Sequence, residues 1–328
     1  MRQPIVIFYL HHMKKWLSAI FVFVFFSIQA EEISAEWKNS LNSLSDEERR
    51  SLQTFFRTMI VNSEGGFVLF GSKPACGEGI IAPGKCKIEW IGMRNHRRSI
   101  DLWEGYQVWQ KYFASLKTRK LIISLKDHPD NLFTDWIHLT WINPQKLMEV
   151  VNENLVLFQY VLGPDVTPQR LLDHLVDPSQ DILEDYTLQG ITLGFGVQNA
   201  LYYRRLELIE KELYSKEKIP FKSRYERIEI ADPFHGLYMG FDLNPVSETT
   251  PSFNHSSLST EYQNLLSERS SSLKTPHQQI NPIPMFAIFK NDKNTKQIRS
   301  GYEVDRLKIQ DLLAQDNFLE HILKTIFE

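Results

Sequence analysis

The chain has 328 residues, 42% of them hydrophobic, with 37 basic and 40 acidic side chains and two cysteines. Arg2, Lys14 and Lys15 are the charged groups of residues 1–30, so the rest carries 34 basic against 40 acidic residues, a formal charge of −6. That mild acidity, without a run of five like charges, argues against bulk electrostatic binding of nucleic acid, and the length suffices for one large or two modest domains.

Positions 13–32 read MKKWLSAIFVFVFFSIQAEE. Lys14 and Lys15 precede an apolar run from Trp16 to Ile28. A signal peptide needs about 7–15 apolar residues there, whereas a membrane span needs about 20. The segment therefore reads as a secretory signal cut near Ala30, ahead of Glu31-Glu32. Ile28 departs from the usual smaller residue. Met13 is the expected start, with residues 1–12 an upstream extension; a retained N-terminal anchor is the alternative. No cysteine follows the run, which sets aside a bacterial lipoprotein. The mature chain is expected in the periplasm or secreted, without a transmembrane span.

Ser45 and Glu48 form a capping pair opening a helix to about Val61, with Leu52, Phe55, Phe56 and Met59 on its buried face. Gly65-Gly66 ends it, and Phe67 to Phe70 reads as a short strand. Gly71 to Gly84 reads as a loop, and Ile88 to Ile91 as a second strand. Cys76 and Cys86 flank GEGIIAPGK. In an oxidising compartment they are expected to form a disulfide, worth roughly 2.5–3 kcal/mol for so short a loop; two free thiols are the alternative. Their spacing lacks the paired arrangement of a zinc site, so no metal is expected, nor any cofactor.

Leu102, Tyr106, Trp109, Phe113 and Leu116 mark one face of a helix over 99–116. Strands follow over 121–125 and 135–142. Asn143-Pro144 and Thr167-Pro168 each pair a cap with a first-turn proline, opening helices, and 154–162 is helical up to Gly163-Pro164. The longest helical periodicity runs from Leu188 to Leu213, interrupted by Gly190, Gly194 and Gly196. Residues 247–284 are crowded with Ser, Thr, Asn, Gln and Pro and read as a long mobile loop, with a helical turn near 261–268. A strand over 285–289 and two helices from Glu303, meeting near 314–317, complete the chain. The expected fold is α+β, mainly helical, with a small sheet of three to five short strands. Residues 31–246 form the body, 247–284 a polar loop, and 285–328 a strand and helices packing on the body.

Three stretches, SEGGFVLFGSKPAC (63–76), LQGITLGFGVQNALYYRR (188–205) and NPIPMFAIF (281–289), together resemble segments of exported, uncharacterised proteins from Chlamydia-like obligate intracellular bacteria. The resemblance implies a bacterial source and an envelope or secreted location. It carries no established activity and no functional residues.

Gly194-Phe195-Gly196-Val197-Gln198-Asn199 approaches the dinucleotide fingerprint, but Asn199 stands where the third glycine lets helix and strand approach. The glycines are better read as close helix contacts or a kink. Asp127-His128-Pro129-Asp130, followed by Asp135 and His138, is the best catalytic grouping: His128 as general base, oriented by Asp127 or Asp130. No G-x-S-x-G or H-E-x-x-H motif accompanies it, and strand alternation sends Asp135 and His138 to opposite faces. A polar turn with a satisfied histidine is the simpler reading. His235, between Asp232-Pro233 and Gly236, is a weaker candidate beside Asp232 or Asp242.

Arg94, His96, Arg97 and Arg98 make a basic knot able to meet phosphate on an envelope lipid, or to offset acidic neighbours. Among Trp90, Trp103, Trp109, Trp136 and Trp141, Trp103 lies beside its helix's buried stripe and is the candidate exposed ring. The resulting expectation is a non-enzymatic exported protein binding an envelope component or a protein partner. The alternatives are a periplasmic hydrolase built on His128, and an effector delivered to a host cell with 247–284 as its contact segment.

Overall fold

The computed structural model describes residues 35–81, 93–117, 120–127, 136–177, 185–213, 257–271, 284, 287–289 and 293–328. Helix α1 (35–43) leads into Ser45, the N-cap of α2 (Asp46–Val61). The Ser45 hydroxyl accepts from the Glu48 backbone N–H, and Glu48 accepts in return from the Ser45 N–H, so two otherwise orphaned donors are satisfied. The buried face of α2 carries Leu52, Phe55, Phe56 and Met59, as its spacing predicts. It lies against α4 (Met93–Tyr112) at close range. A Cβ on Gly105 would stand 2.1 Å from the Phe55 Cβ, so this crossing requires a residue without a side chain. Glu48 ties the far end: it accepts from Lys111 Nζ at 2.7 Å and from the Tyr112 hydroxyl at 2.9 Å.

Three antiparallel strands form the main sheet in the order β1 (Ala75–Ile81), β3 (Trp136–Ile142), β2 (Ile122–Asp127). Cys76 pairs with Trp141 and Ala75 with Ile142. Neighbouring residues on a strand face opposite ways, which divides the interior. Cys76, Ile137, Leu139 and Trp141 join the large core with α1, α2, α4 and α12 (Phe318–Phe327). Trp109 stacks on Phe113 and Phe327 there, with ring centroids 5.6 and 5.9 Å apart. Ala75 and Ile142 instead face a second core built from α5 (Pro144–Glu153), α6 (Leu155–Leu162), α7 (Pro168–Val176), α8 (Tyr186–Thr192) and α9 (Val197–Leu213). A third, smaller cluster joins α9 to α10 (Ser257–Glu268). α10 runs into β4 (Arg269–Ser271), which pairs with β5 (Ala287–Phe289). Helix α11 (Lys293–Leu313) then packs on α3 (Gly65–Leu69). The fold is thus α+β and mainly helical, as expected, and no helix among the described residues is long and apolar enough to cross a membrane.

Several elements differ from the sequence-based expectation. Phe67 to Leu69 is helical, because a short apolar run carries no period that separates a buried strand from a buried helix. The first strand is Ala75–Ile81, inside the expected loop; Gly77 and Gly79 have poor strand propensity, and pairing with β3 overrides it. The periodic stretch 188–213 is two helices, parted where Gly194 and Gly196 take φ of +77° and +83°. The expected polar loop contains a full helix, α10, and α11 starts ten residues before Glu303. The strand expected over 88–91 lies outside the described residues.

The Lys111 ammonium, then the Ser45 N–H and the Tyr112 hydroxyl, hold the Glu48 carboxyl down at about 2. A depressed carboxyl stabilises the fold above its unfolded value of about 4 and loses that contribution as pH falls through its folded value. The α2–α4 pairing should therefore weaken between about pH 4 and pH 2. A Glu48→Gln variant should be less stable at neutral pH and should lack that part of the acid transition, followed by tryptophan fluorescence.

Candidate functional site

Lys73 stands in the turn between α3 and β1, preceded by Gly71-Ser72 and followed by Pro74. The turn is held by its backbone: Lys73 N donates to Phe67 O at 3.1 Å, and Asn143 N donates to Pro74 O at 2.8 Å. These bonds drive the Lys73 side chain inward, where it is 0% exposed. Its ammonium donates to the Leu193 carbonyl at 2.5 Å and meets Glu64 Oε2 at 2.9 Å. It also lies 4.1 Å from the centroid of the Phe195 ring and 6.0 Å from that of Tyr302.

Each partner has a physical reason to be there. Leu193 is the C-cap of α8, where unsatisfied carbonyls and the negative end of the helix dipole favour a cation. Glu64 supplies the countercharge a buried ammonium needs. The rings of Phe195 and Tyr302 offer their electron-rich faces. Gly194 makes the corner possible: a Cβ there would sit 2.6 Å from Pro74 Cδ and 3.2 Å from the Tyr302 hydroxyl. The Tyr302 hydroxyl donates to Gly194 O at 3.0 Å. One turn further along α11, Asp305 accepts from Ser72 N at 2.7 Å, from Ser72 Oγ at 2.9 Å and from Lys308 Nζ at 3.2 Å. Three segments remote in sequence are thus joined through one buried polar cluster.

Cys76 lies beside this cluster as a buried free thiol. Burial first, then the Glu64 charge, pushes it up, against the pull of Lys73; a thiol so held stays protonated and is a poor nucleophile. Burial likewise raises the Tyr302 phenol. Glu78 is raised by burial and steadied by Arg98, whose Nη2 lies 2.7 Å from Glu78 Oε2. Chemically the arrangement is a sealed strut, with its ammonium, thiol and phenol all turned inward.

Among the described residues, those singled out in the sequence contribute no charge to this cluster. Asp127 ends β2 opposite Ile137. His128, Asp130, Asp135, His235 and Cys86 lie outside the described residues, as do the side chains of Asp127, Arg94 and His96. His138 is half-buried, on the face of β3 opposite Ile137 and Leu139. Arg97 is exposed, whereas Arg98 also donates to Asn62 O at 2.9 Å and closes the end of α2. Trp103 is half-buried against the large core, 6.5 Å from the Tyr106 ring. Asn199, in the third-glycine position, is buried; its amide donates to Phe195 O and its carbonyl accepts from the Thr295 hydroxyl.

Lys73, Glu64, Tyr302 and Asp305 carry no spacing signal and were not candidates from sequence. The available sign was indirect: the stretches 63–76 and 188–205 touch through Lys73 and Leu193, and 281–289 contributes β5, which contacts α9. Comparison with known protein families, with curated proteins and with solved structures returns no match for this chain.

Glu64→Ala should destabilise the protein by about 3 kcal/mol, because it strands a buried ammonium. Lys73→Met removes the charge and leaves the Leu193 carbonyl short of its donor, for about 2 kcal/mol. The double variant should fall well short of the sum of the two, measured by denaturant unfolding.

Proposed function

We propose that this is an exported bacterial protein that works by binding, as an interaction or structural component of the envelope or its surroundings, rather than by catalysis. The observation that carries this reading is helix α6. Its sequence, LVLFQYVL, has one polar residue in eight, yet Phe158 is its one buried side chain. Val156 and Tyr160, one turn apart, are 79% and 66% exposed. Half-buried Leu155, Leu157, Val161 and Leu162 flank them. Contiguous apolar surface of this kind is characteristic of a contact face, and tyrosine is among the residues enriched at the centres of protein interfaces. The sealed Lys73 strut supports the same reading, since its reactive groups serve the fold. Export rests on the short apolar run from Trp16 to Ile28 behind Lys14 and Lys15, and the envelope setting on the resemblance of the three stretches.

Two measurements test it. The protein recovered from its source should begin at Glu31 and fractionate with the envelope or the medium; recovery from the cytoplasm starting at Met13 overturns export. A photo-crosslinking residue at position 160 should trap a discrete partner, and adding Val156→Glu should abolish that adduct while shifting stability by less than about 0.5 kcal/mol. An adduct that survives Val156→Glu, or none at all, removes α6 as the contact face.

A further inference from the structure

No charged residue falls within α6, yet carboxylates stand at both of its ends. Glu153, the last residue of α5, precedes the Asn154 cap and is exposed. Asp165 follows Gly163-Pro164 and is exposed too. The Gln159 amide fixes its place: it donates to Pro164 O and to Val166 O, each at 3.2 Å, and so folds residues 164–166 back on the last turn of α6. Two further exposed acids, Glu149 of α5 and Asp173 of α7, stand on the flanking helices.

These charges are not neutralised locally. Residues 144–177 carry five acids against two bases, Lys146 and Arg170, a net of −3 and half of the −6 carried by residues 31–328. Lys146 is half-buried, and Arg170 directs Nη1 to the Asp165 backbone carbonyl at 3.4 Å. Among the described residues, no lysine or arginine forms an ion pair with Glu149, Glu153, Asp165 or Asp173. Glu149 and Asp173 accept instead from the amides of Gln145 and Gln169 on their own helices. Elsewhere carboxylates take internal cations: Glu261 accepts from Nε of buried Arg205 at 2.8 Å, Glu78 pairs with Arg98, and Asp185 with Arg204.

An apolar face rimmed by such acids attracts a basic partner and repels an acidic one, while its centre supplies the anchoring area. The same field disfavours anionic lipid headgroups. It also disfavours a two-fold pairing of α6 with itself, because acids at both helix ends would then meet acids.

We propose that α6 is the docking site for a cationic amphipathic helix of a partner protein. Apolar anchors of that helix seat on Val156 and on the Tyr160 ring, and Lys or Arg side chains beyond each end of the anchor stretch meet Glu153 and Asp165. α6 rises about 12 Å over its eight residues, so the basic groups of an aligned helix stand a little over two turns apart. The proposal rests on α6 being a contact face and adds the chemistry of its occupant.

The probes are two synthetic helical peptides with the same leucine stripe, flanked in one by lysines and in the other by glutamines, titrated against the full chain. The lysine peptide should bind at least about 10-fold more tightly, and its affinity should fall at least about 3-fold on raising salt to about 0.5 M. Glu153→Gln with Asp165→Asn should cut the preference to below about 3-fold, and Val156→Ser should weaken both peptides at least about 5-fold. Asp311→Asn with Glu320→Gln, exposed acids of α11 and α12, should change neither result. All the substituted side chains are exposed, and the salt titration of the wild type needs no variant. Equal affinity for the two peptides, no salt dependence, or an equal loss in the Asp311–Glu320 control overturns the proposal. Equal affinities that both fall in Val156→Ser leave α6 a contact face without its preference for cations, whereas a Val156→Ser protein that binds as the wild type does removes α6 itself. Adsorption to phosphatidylcholine vesicles, or concentration-dependent dimerisation, that Val156→Ser abolishes gives the face to lipid or to a second copy and likewise overturns the proposal.

Discussion

A single buried ammonium sets the geometry of this protein. An unpaired charge in an apolar interior is too unfavourable to persist, so Lys73 at 0% exposure compels a carboxylate, a carbonyl and aromatic faces to gather at one point. Those groups come from the N-cap of α3, the corner between α8 and α9, and the middle of α11. The large core and the second core face opposite sides of the sheet, and the Lys73 cluster lies where their outer elements meet. The polar contact therefore specifies how two apolar bodies are oriented, which hydrophobic packing alone leaves loosely defined.

Much of the fold was legible from sequence, and the legible parts share a cause. The Ser45 capping box, the Asn143-Pro144 and Thr167-Pro168 helix starts, and the stripe from Leu102 to Phe113 are local patterns, decided within one or two turns of chain. The same holds for Trp136 to Ile142, where alternation placed Ile137 and Leu139 on the face opposite His138 and Thr140. Where local pattern and tertiary environment disagreed, tertiary environment won. Val68 and Phe67 favour strands yet sit in a short helix beneath α11. Gly77 and Gly79 disfavour strands yet sit in β1 because β3 offers an unpaired edge.

The polar cluster was illegible for the same reason. A lysine between Ser72 and Pro74 looks like a solvated turn residue, and its Leu193 partner is a backbone carbonyl that no side-chain pattern announces. Arg205 was likewise hidden among the charges of α9, since its partner Glu261 lies in a stretch whose composition resembles a linker. The basic residues near 94–98 attracted notice through clustering, but Arg98 serves as an end-clamp on α2. Buried charges that organise a fold are defined by what they meet in space, and linear spacing records little of that.

The corner at Gly194 has a bearing on ancestry. Its left-handed glycine, the lysine 120 residues before Leu193 and the tyrosine 108 residues after Gly194 are mutually dependent, since each occupies space or charge the others leave. Drift in surface helices can erase overall likeness long before it can alter such a knot one member at a time. A distant cousin of this chain should therefore be recognisable by those three positions changing together or not at all.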